Sequence, residues 1–298
     1  MPETTDVKRA DDRNQEKVRK TSQGREVFKR LLGSRSAVIG LVFLGIFVII
    51  TIFADYIAPY DYKLLSGMPL QKPGAEHLFG TDQMGRDLFS RVVYGARYSI
   101  SLGLVGTLIG MVIGMLFGCL AGYYGGLVDE IIMRLTDVIQ SIPSILMSMA
   151  WSVVLGPGLF NTMLALGLSN VAAVARLQRA SILNIRKMEY IDAATVTNCS
   201  DLRVVGRHII PNAFAPVLVR ASMDIGSVII SAAGLSFLGM GIQPPMPEWG
   251  ALLSAGRDYI RNAPYLCLYP GVVLSVFVLA INLFGNGLRD AMDPKLKR

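Results

Sequence analysis

The chain has 298 residues, 52% of them AVILMFWYC, and its 30 glycines raise the apolar-plus-glycine share to about 62%, against roughly 45–50% in a soluble domain. Only 17% of the residues are charged, and 16 of the 51 charges lie in residues 1–36, which excludes both a single soluble globule and an intrinsically disordered chain. The net charge of +7 is interrupted by long uncharged apolar runs, the pattern of a membrane protein's cytoplasmic face and not of a nucleic-acid-binding surface.

Residues 1–36 are polar, with no short apolar core before a small-residue cleavage site, so no removable signal peptide is expected and the first apolar run is a retained span. A helix crossing about 30 Å of hydrocarbon needs about 20 mostly apolar residues, because lipid offers the backbone no hydrogen bonds. Six stretches qualify: 37–54, 100–121, 138–155 with its helix starting near Ile131, 162–175, 213–238 and 266–288. The expected fold is therefore all-α, a polytopic membrane protein with six transmembrane helices.

With both termini inside, the cytoplasmic segments 1–36, 122–137, 175–210 and 287–298 carry 21 Lys/Arg, and the external segments 55–98, 155–161 and 239–265 carry 7. The excess of positive charge inside favours this orientation. The chain then divides into a cytoplasmic tail (1–36), a first transmembrane helix (37–54), an external loop (55–98), a five-helix core (99–290) with a cytoplasmic loop at 189–211, and a second tail (291–298).

Within the second span Gly106, Gly110, Gly114, Gly118 and Gly122 recur every four residues. Such a row clears side chains from one ridge, so that another backbone can approach closely, either within the chain or across a subunit seam. In the third span Pro143, between Ser141 and Ser144, frees a backbone carbonyl and predicts a kink. Gln140, Asn161, Asn170 and Asn282 either line a path or bridge helices. Arg220 and Asp224 stand i, i+4 in the fifth span, where an unpaired charge is expensive; they form either a self-satisfied pair or a polar element of a translocation path. Between the last two spans Pro247 and Glu248 begin a helix on which Trp249, Leu252, Leu253, Gly256 and Ile260 share a face, as an interfacial anchor or as the roof of an external gate.

Cys119, Cys199 and Cys267 lie in unrelated segments without a CxxC, His77 and His208 are far apart, and Met111 and Met115 fit gap-filling better than soft-metal binding. No disulfide and no metal site is expected. No nucleophile-plus-base arrangement supports an enzyme, and no repeat between halves supports a self-sufficient secondary transporter or channel. None of the nine lysines follows a glycine, so the chain lacks the Gly-Lys of a Walker A loop.

The cytoplasmic loop reads EYIDAATVTNCSDLRVVGRHIIP from Glu189 to Pro211. A first short helix runs to about Thr197, Ser200 is a good N-cap for a second with Asp201 in its first turn, and Pro211 either stops that helix or starts the next span. Two short helices make a knob suited to a groove on a cytoplasmic partner. Arg203 and Arg207, one turn apart, either meet acidic groups on that partner or are solvated.

This loop resembles the EAA motif of bacterial ABC importer permeases, with Asp192, Ala193 and Ala194 in the Glu-Ala-Ala place and Ile209-Ile210-Pro211 as the ending. Asn198 stands at the motif's glycine and, of the non-glycine residues, best tolerates a left-handed turn. Residues 79–91 (FGTDQMGRDLFSR), 95–99 (GARYS), 234–239 (GLSFLG), 248–250 (EWG) and 282–294 are similar to the dipeptide/oligopeptide/nickel family, in its C-type form. The resemblance covers about residues 26–298. It implies a type I ABC importer transmembrane domain in a bacterial inner membrane, paired with a paralogous permease, two ATPase subunits that hold ATP and magnesium, and an extracytoplasmic substrate-binding protein. This chain itself would bind no cofactor. Peptides are the implied cargo, with nickel or a metal chelate as the alternative.

Overall fold

The computed structural model describes residues 23–197 and 199–292. Among them there are only helices, turns and two isolated antiparallel bridges, Leu65 with Arg86 and Thr81 with Asp87. In chain order the helices are α1 (Gln23–Gly33), α2 (Arg35–Ile52), α3 (Ala54–Ile57), α4 (Leu88–Tyr124), α5 (Gly126–Ser141), α6 (Ser144–Leu155), α7 (Leu159–Ile185), α8 (Glu189–Val196), α9 (Asp201–Val204), α10 (Ile210–Phe237), α11 (Trp249–Gly256) and α12 (Tyr265–Met292). A π-helical turn, Val205–Ile209, joins α9 to α10.

Among the described residues five helices are long and apolar enough to cross a membrane: α2, α4, α7, α10 with its π turn, and α12. The second and fourth spans are longer than their apolar runs. α4 begins at Leu88, because Asp87 caps it by accepting from the Ser90 N–H at 2.7 Å. Its early Arg97 is neutralised by Asp55 at 2.9 Å and by the Thr51 and Ile52 carbonyls. α7 continues to Ile185 because Arg176 and Arg179 pair with Asp137 and Asp129 of α5.

The third span, expected as one helix from near Ile131 to Leu155 with a kink at Pro143, is broken there into two. Residues 126–155 form two helices, α5 and α6, bent by 97° at Ile142–Pro143. Pro143 cannot donate a backbone N–H, the Ile142 N–H turns to the Ile139 carbonyl at 3.3 Å, and the Ser141 hydroxyl takes up the Val138 carbonyl at 2.7 Å. α6, with 12 residues, is about 18 Å long and cannot cross alone. The bent pair nevertheless counts as a crossing, because α4 and α7 run parallel and the chain between them must return to the opposite end.

That parallel pairing is built on the glycine row. A Cβ at Gly110 would lie 2.8 Å from the Gly167 carbonyl, one at Gly114 would lie 2.6 Å from Val174 Cβ, and one at Gly122 would lie 3.0 Å from Ile182 Cβ. Partner numbers rise with glycine numbers, so the close approach lies within the chain and runs from Gly110 to Gly122, whereas Gly106 meets Val228 of α10 first, at 3.2 Å.

At the end that carries residues 55–87, the loops form a cap with buried charges. His77 Nδ1 lies 2.8 Å from Asp87 Oδ1, and Arg86 Nε donates to Asp82 Oδ2 at 2.6 Å. Glu248 is fully buried and caps α11; its carboxylate accepts from Gly250 N and Ala251 N at 2.8 Å each, from Ser99 Oγ at 3.1 Å and from Ser236 Oγ at 3.3 Å. Burial pushes its carboxyl up from the ordinary glutamate value, and these four donors oppose that. Trp249 is also fully buried, donates Nε1–H to the Val92 carbonyl at 2.9 Å, and packs its ring between Phe47 and Phe277. Glu248→Gln turns an NH₂ toward a backbone donor and is expected to cost about 1–3 kcal/mol, read as a lower thermal midpoint of the detergent-solubilised protein.

Candidate functional site

Residues 189–209 form a compact knob at the opposite end. α8 and α9 are too short to be stable alone, and their apolar side chains bury against longer helices. Ile191, Val204 and Ile209 cluster with Cys119 of α4, Ile182 and Ile185 of α7, and Ala213 of α10. Ala194 packs on this cluster, and the Cys199 N–H returns to its carbonyl at 3.2 Å. The Ser200 carbonyl accepts from Arg203 N and Val204 N, which opens the second helix. Asn198 lies outside the described residues, and for Ala193 only the helical backbone is described.

Pro211 does not stop the chain's helical course. It occupies the first turn of α10, where its missing N–H costs little. α9, the π turn and α10 therefore follow one another from Asp201 to Phe237 without a loop. π turns inside helices are rare and occur often at functional sites.

Two residues that the sequence did not single out clamp this knob. Tyr123, at the end of α4, donates its hydroxyl to Asp201 Oδ1 at 2.8 Å. Arg186, just past α7, donates to the Gly122 carbonyl at 3.1 Å, and its guanidinium lies 5.8 Å from the Tyr123 ring centroid. The available signal was position: Tyr123 immediately follows the last glycine of the row and leads into the Gly125–Gly126 turn.

The knob's outward surface is mixed. Glu189, Asp192, Asp201, Arg203 and Arg207 are exposed, and so are the apolar parts of Met188, Tyr190 and Val196, the last at 86%. Exposed apolar side chains among charges of both signs suit protein contact better than catalysis.

The polar residues within the spans do not form one site. Arg220 Nε donates to Asp224 Oδ1 at 2.8 Å and Oδ2 at 2.9 Å, so these two are paired as their spacing allows. Asp224 is buried and Arg220 is half exposed. Asn161 instead closes the α6–α7 turn by donating to the Leu155 carbonyl at 2.7 Å, and Gln140 is exposed on α5. Among the described residues no hydrogen bond joins either of them to the Arg220–Asp224 pair, and Asn161 lies toward the far end of the molecule. Glu248 and Trp249 belong to the buried core of the cap. No group of three or more His, Cys, Asp or Glu side chains able to hold a metal occurs among the described residues.

Comparison with known proteins agrees with this architecture. Residues 114–298 match the family described as binding-protein-dependent transport system inner membrane component, and residues 22–75 match the N-terminal TM domain of oligopeptide transport permease C. The chain is 41% identical to the dipeptide transport system permease protein DppC of Alkalihalophilus pseudofirmus, over 93% of this chain and 91% of that protein. It is also 41% identical to the glutathione transport system permease protein GsiD of Pectobacterium atrosepticum, over 92% of this chain and 91% of that one. Among solved structures, an inward-facing MetNI methionine ABC transporter chain matches with a TM-score of 0.55 at 16% identity, over 69% of this chain and 98% of that one, a likeness of fold.

Proposed function

Because the chain belongs to the family of binding-protein-dependent transport system inner membrane components, multi-pass permeases and not catalytic subunits, we propose that it forms half of the translocation path of an ATP-driven peptide importer. Peptide cargo is supported by the names of its relatives, which are dipeptide, di/tripeptide and glutathione permeases. The other half is a paralogous permease, ATP and magnesium are held by two ATPase subunits, and substrate arrives from an extracytoplasmic binding protein.

The observation that carries the coupling role is the continuity of knob and span. Residues 189–211 face the cytoplasm, as the Lys/Arg asymmetry supports, and an ATPase engages their exposed surface. Because α9 runs through the π turn into α10 without a loop, a displacement of the knob turns or tilts α10, and the two faces of the membrane open in alternation. Glu189, Asp192, Arg203 and Arg207 meet the ATPase, Ala194 seats the knob, and Pro211 starts the moving helix.

Affinity purification through a tag on this chain is expected to bring down both ATPases. The double charge reversal Arg203→Glu/Arg207→Glu is expected to reduce the recovered ATPase at least about tenfold, since like charges facing each other across an interface cost several kcal/mol. Uptake by this chain alone in liposomes would overturn the assignment in favour of a secondary transporter or channel.

Arg220 and Asp224 contribute a polar step on the path. Asp224→Asn keeps the shape but removes the charge that Arg220 pairs with, and is expected to lower uptake into vesicles with the complex still assembled. Unchanged uptake kinetics in that variant would remove the pair from the path.

A further inference from the structure

A cavity of about 720 Å³ opens between α1, α10 and the end of α12, and three guanidinium groups from three helices line it: Arg30, Arg220 and Arg289. The carboxylates beside them are already engaged. Glu26 pairs with Arg30 at 2.7 Å, and Asp224, 8% exposed, takes only the Nε of Arg220. The two terminal nitrogens of Arg220 and the whole guanidinium of Arg289 have no protein partner among the described residues. Between the cations the wall is apolar, formed by Val27, Val219 and Met223.

The position of α1 fixes the depth of this groove. Only Ser34 separates α1 from α2, and α2 turns Ile39, Val42, Phe43, Ile46 and Ile49 outward, the surface of a helix against lipid. α1 has Leu31 buried and Phe28 and Leu32 exposed at 58% and 50%, as a helix lying where the span leaves the hydrocarbon does. The groove thus opens at headgroup level, with spare positive charge above an apolar wall.

We propose that this groove binds an anionic phospholipid, its phosphate held by Arg30, Arg220 and Arg289 and its acyl chains against Val219 and Met223. A zwitterionic peptide passing the Arg220–Asp224 pair is held in this groove less well than a lipid, because the one buried carboxylate that could retain its ammonium is taken by Arg220. Free phosphate would leave the apolar wall uncovered.

The test uses the complete transporter, with its partner subunits, in nanodiscs of phosphatidylcholine carrying a minor fraction of phosphatidylglycerol. Native mass spectrometry counts the phosphatidylglycerol retained through detergent exchange. Wild type is expected to retain it in preference to phosphatidylethanolamine supplied equally. Arg30→Gln/Arg289→Gln is expected to weaken retention about 30-fold, each arginine near an anionic lipid surface contributing about a fivefold factor. Arg30→Lys/Arg289→Lys keeps the charge and is expected to stay within about fivefold of wild type. Equal retention by wild type and the glutamine variant would overturn the proposal. So would the absence of a phosphatidylglycerol preference in wild type, a measurement that needs no variant to fold. Displacement of the lipid by inorganic phosphate or by a dipeptide would reassign the groove to a free anion or to the cargo, and would overturn the lipid assignment as well.

Discussion

Replacing Gly118 with leucine is expected to abolish recovery of folded permease. A Cβ at this position would run into the Ala175 carbonyl, and would sit 2.6 Å from Gln178 Cβ and 3.1 Å from Arg179 N. Two of these three atoms are backbone, so no rotamer change can make room, and α4 and α7 must separate. Separation at Gly118 also opens the contacts at Gly110, Gly114 and Gly122, since all of them lie along one straight pairing. Overpacking a flexible core typically costs about 1–3 kcal/mol; here the obstruction is backbone on both sides and the damage spreads along the row. Small residues drive helix association in lipid because close packing replaces the absent hydrophobic gain. Gly45→Leu is the control. Gly45 lies on the exposed face of α2 with nothing within 4 Å of an added Cβ, and that variant is expected to be recovered at the wild-type level. Fluorescence-detected size exclusion of detergent extracts reads both, and a normal monodisperse peak for Gly118→Leu would show that α4 and α7 do not need this contact.

The number of spans and the close approach along the glycine row were legible because each rests on one local quantity, the length of an apolar run or a four-residue repeat. Helix ends were not legible where charges lie inside a helix. Arg97 and Arg176 look like loop residues until Asp55 and Asp137, 42 and 39 positions away, are seen to neutralise them. The kink at Pro143 could be anticipated from proline's missing donor, but not its 97° size, because no local signal sets the angle at which two helices meet across a proline. Convergence was hidden altogether. The segments GARYS, GLSFLG and EWG were separate strings in the sequence, and in the fold Ser99 and Ser236 both donate to Glu248. Acid and hydroxyls that far apart carry no periodic signal. Glu248 and Trp249 thus suited the start of an interfacial helix, anchor or gate roof, in sequence and are the buried fastening of three helices in the fold. At the knob the motif named residues that lie exposed in the fold, but not Tyr123 and Arg186, which hold the knob in place.

Tyr123→Ala is expected to leave ATP hydrolysis by the assembled transporter running while uptake falls at least about tenfold. The knob is fixed to the membrane helices in two ways, by the apolar cluster around Ile191, Val204 and Ile209 and by the clamp formed by Tyr123, Asp201 and Arg186. Removing the ring deletes one hydrogen bond, a cation–π contact and the packing of the ring on the cluster, together about 2–3 kcal/mol for a partly buried site. A loss of that size shifts a docked-to-loose equilibrium of the knob by roughly 30- to 150-fold. An ATPase can still bind the loosened knob, so hydrolysis continues, but with Asp201 no longer held to α4 the displacement moves α9 and α10 without carrying α4 and α7 along. Tyr123→Phe separates the contributions. It keeps the ring against the apolar cluster and beside Arg186 and loses only the bond to the exposed Asp201, worth about 1 kcal/mol, so its uptake is expected to lie between wild type and the alanine variant. Measuring transported peptide per ATP hydrolysed in proteoliposomes distinguishes uncoupling from failed assembly, because an unassembled complex loses both. If the ratio for Tyr123→Ala equals that of wild type, the helical continuity into α10 and the apolar cluster suffice and the clamp has no part in coupling.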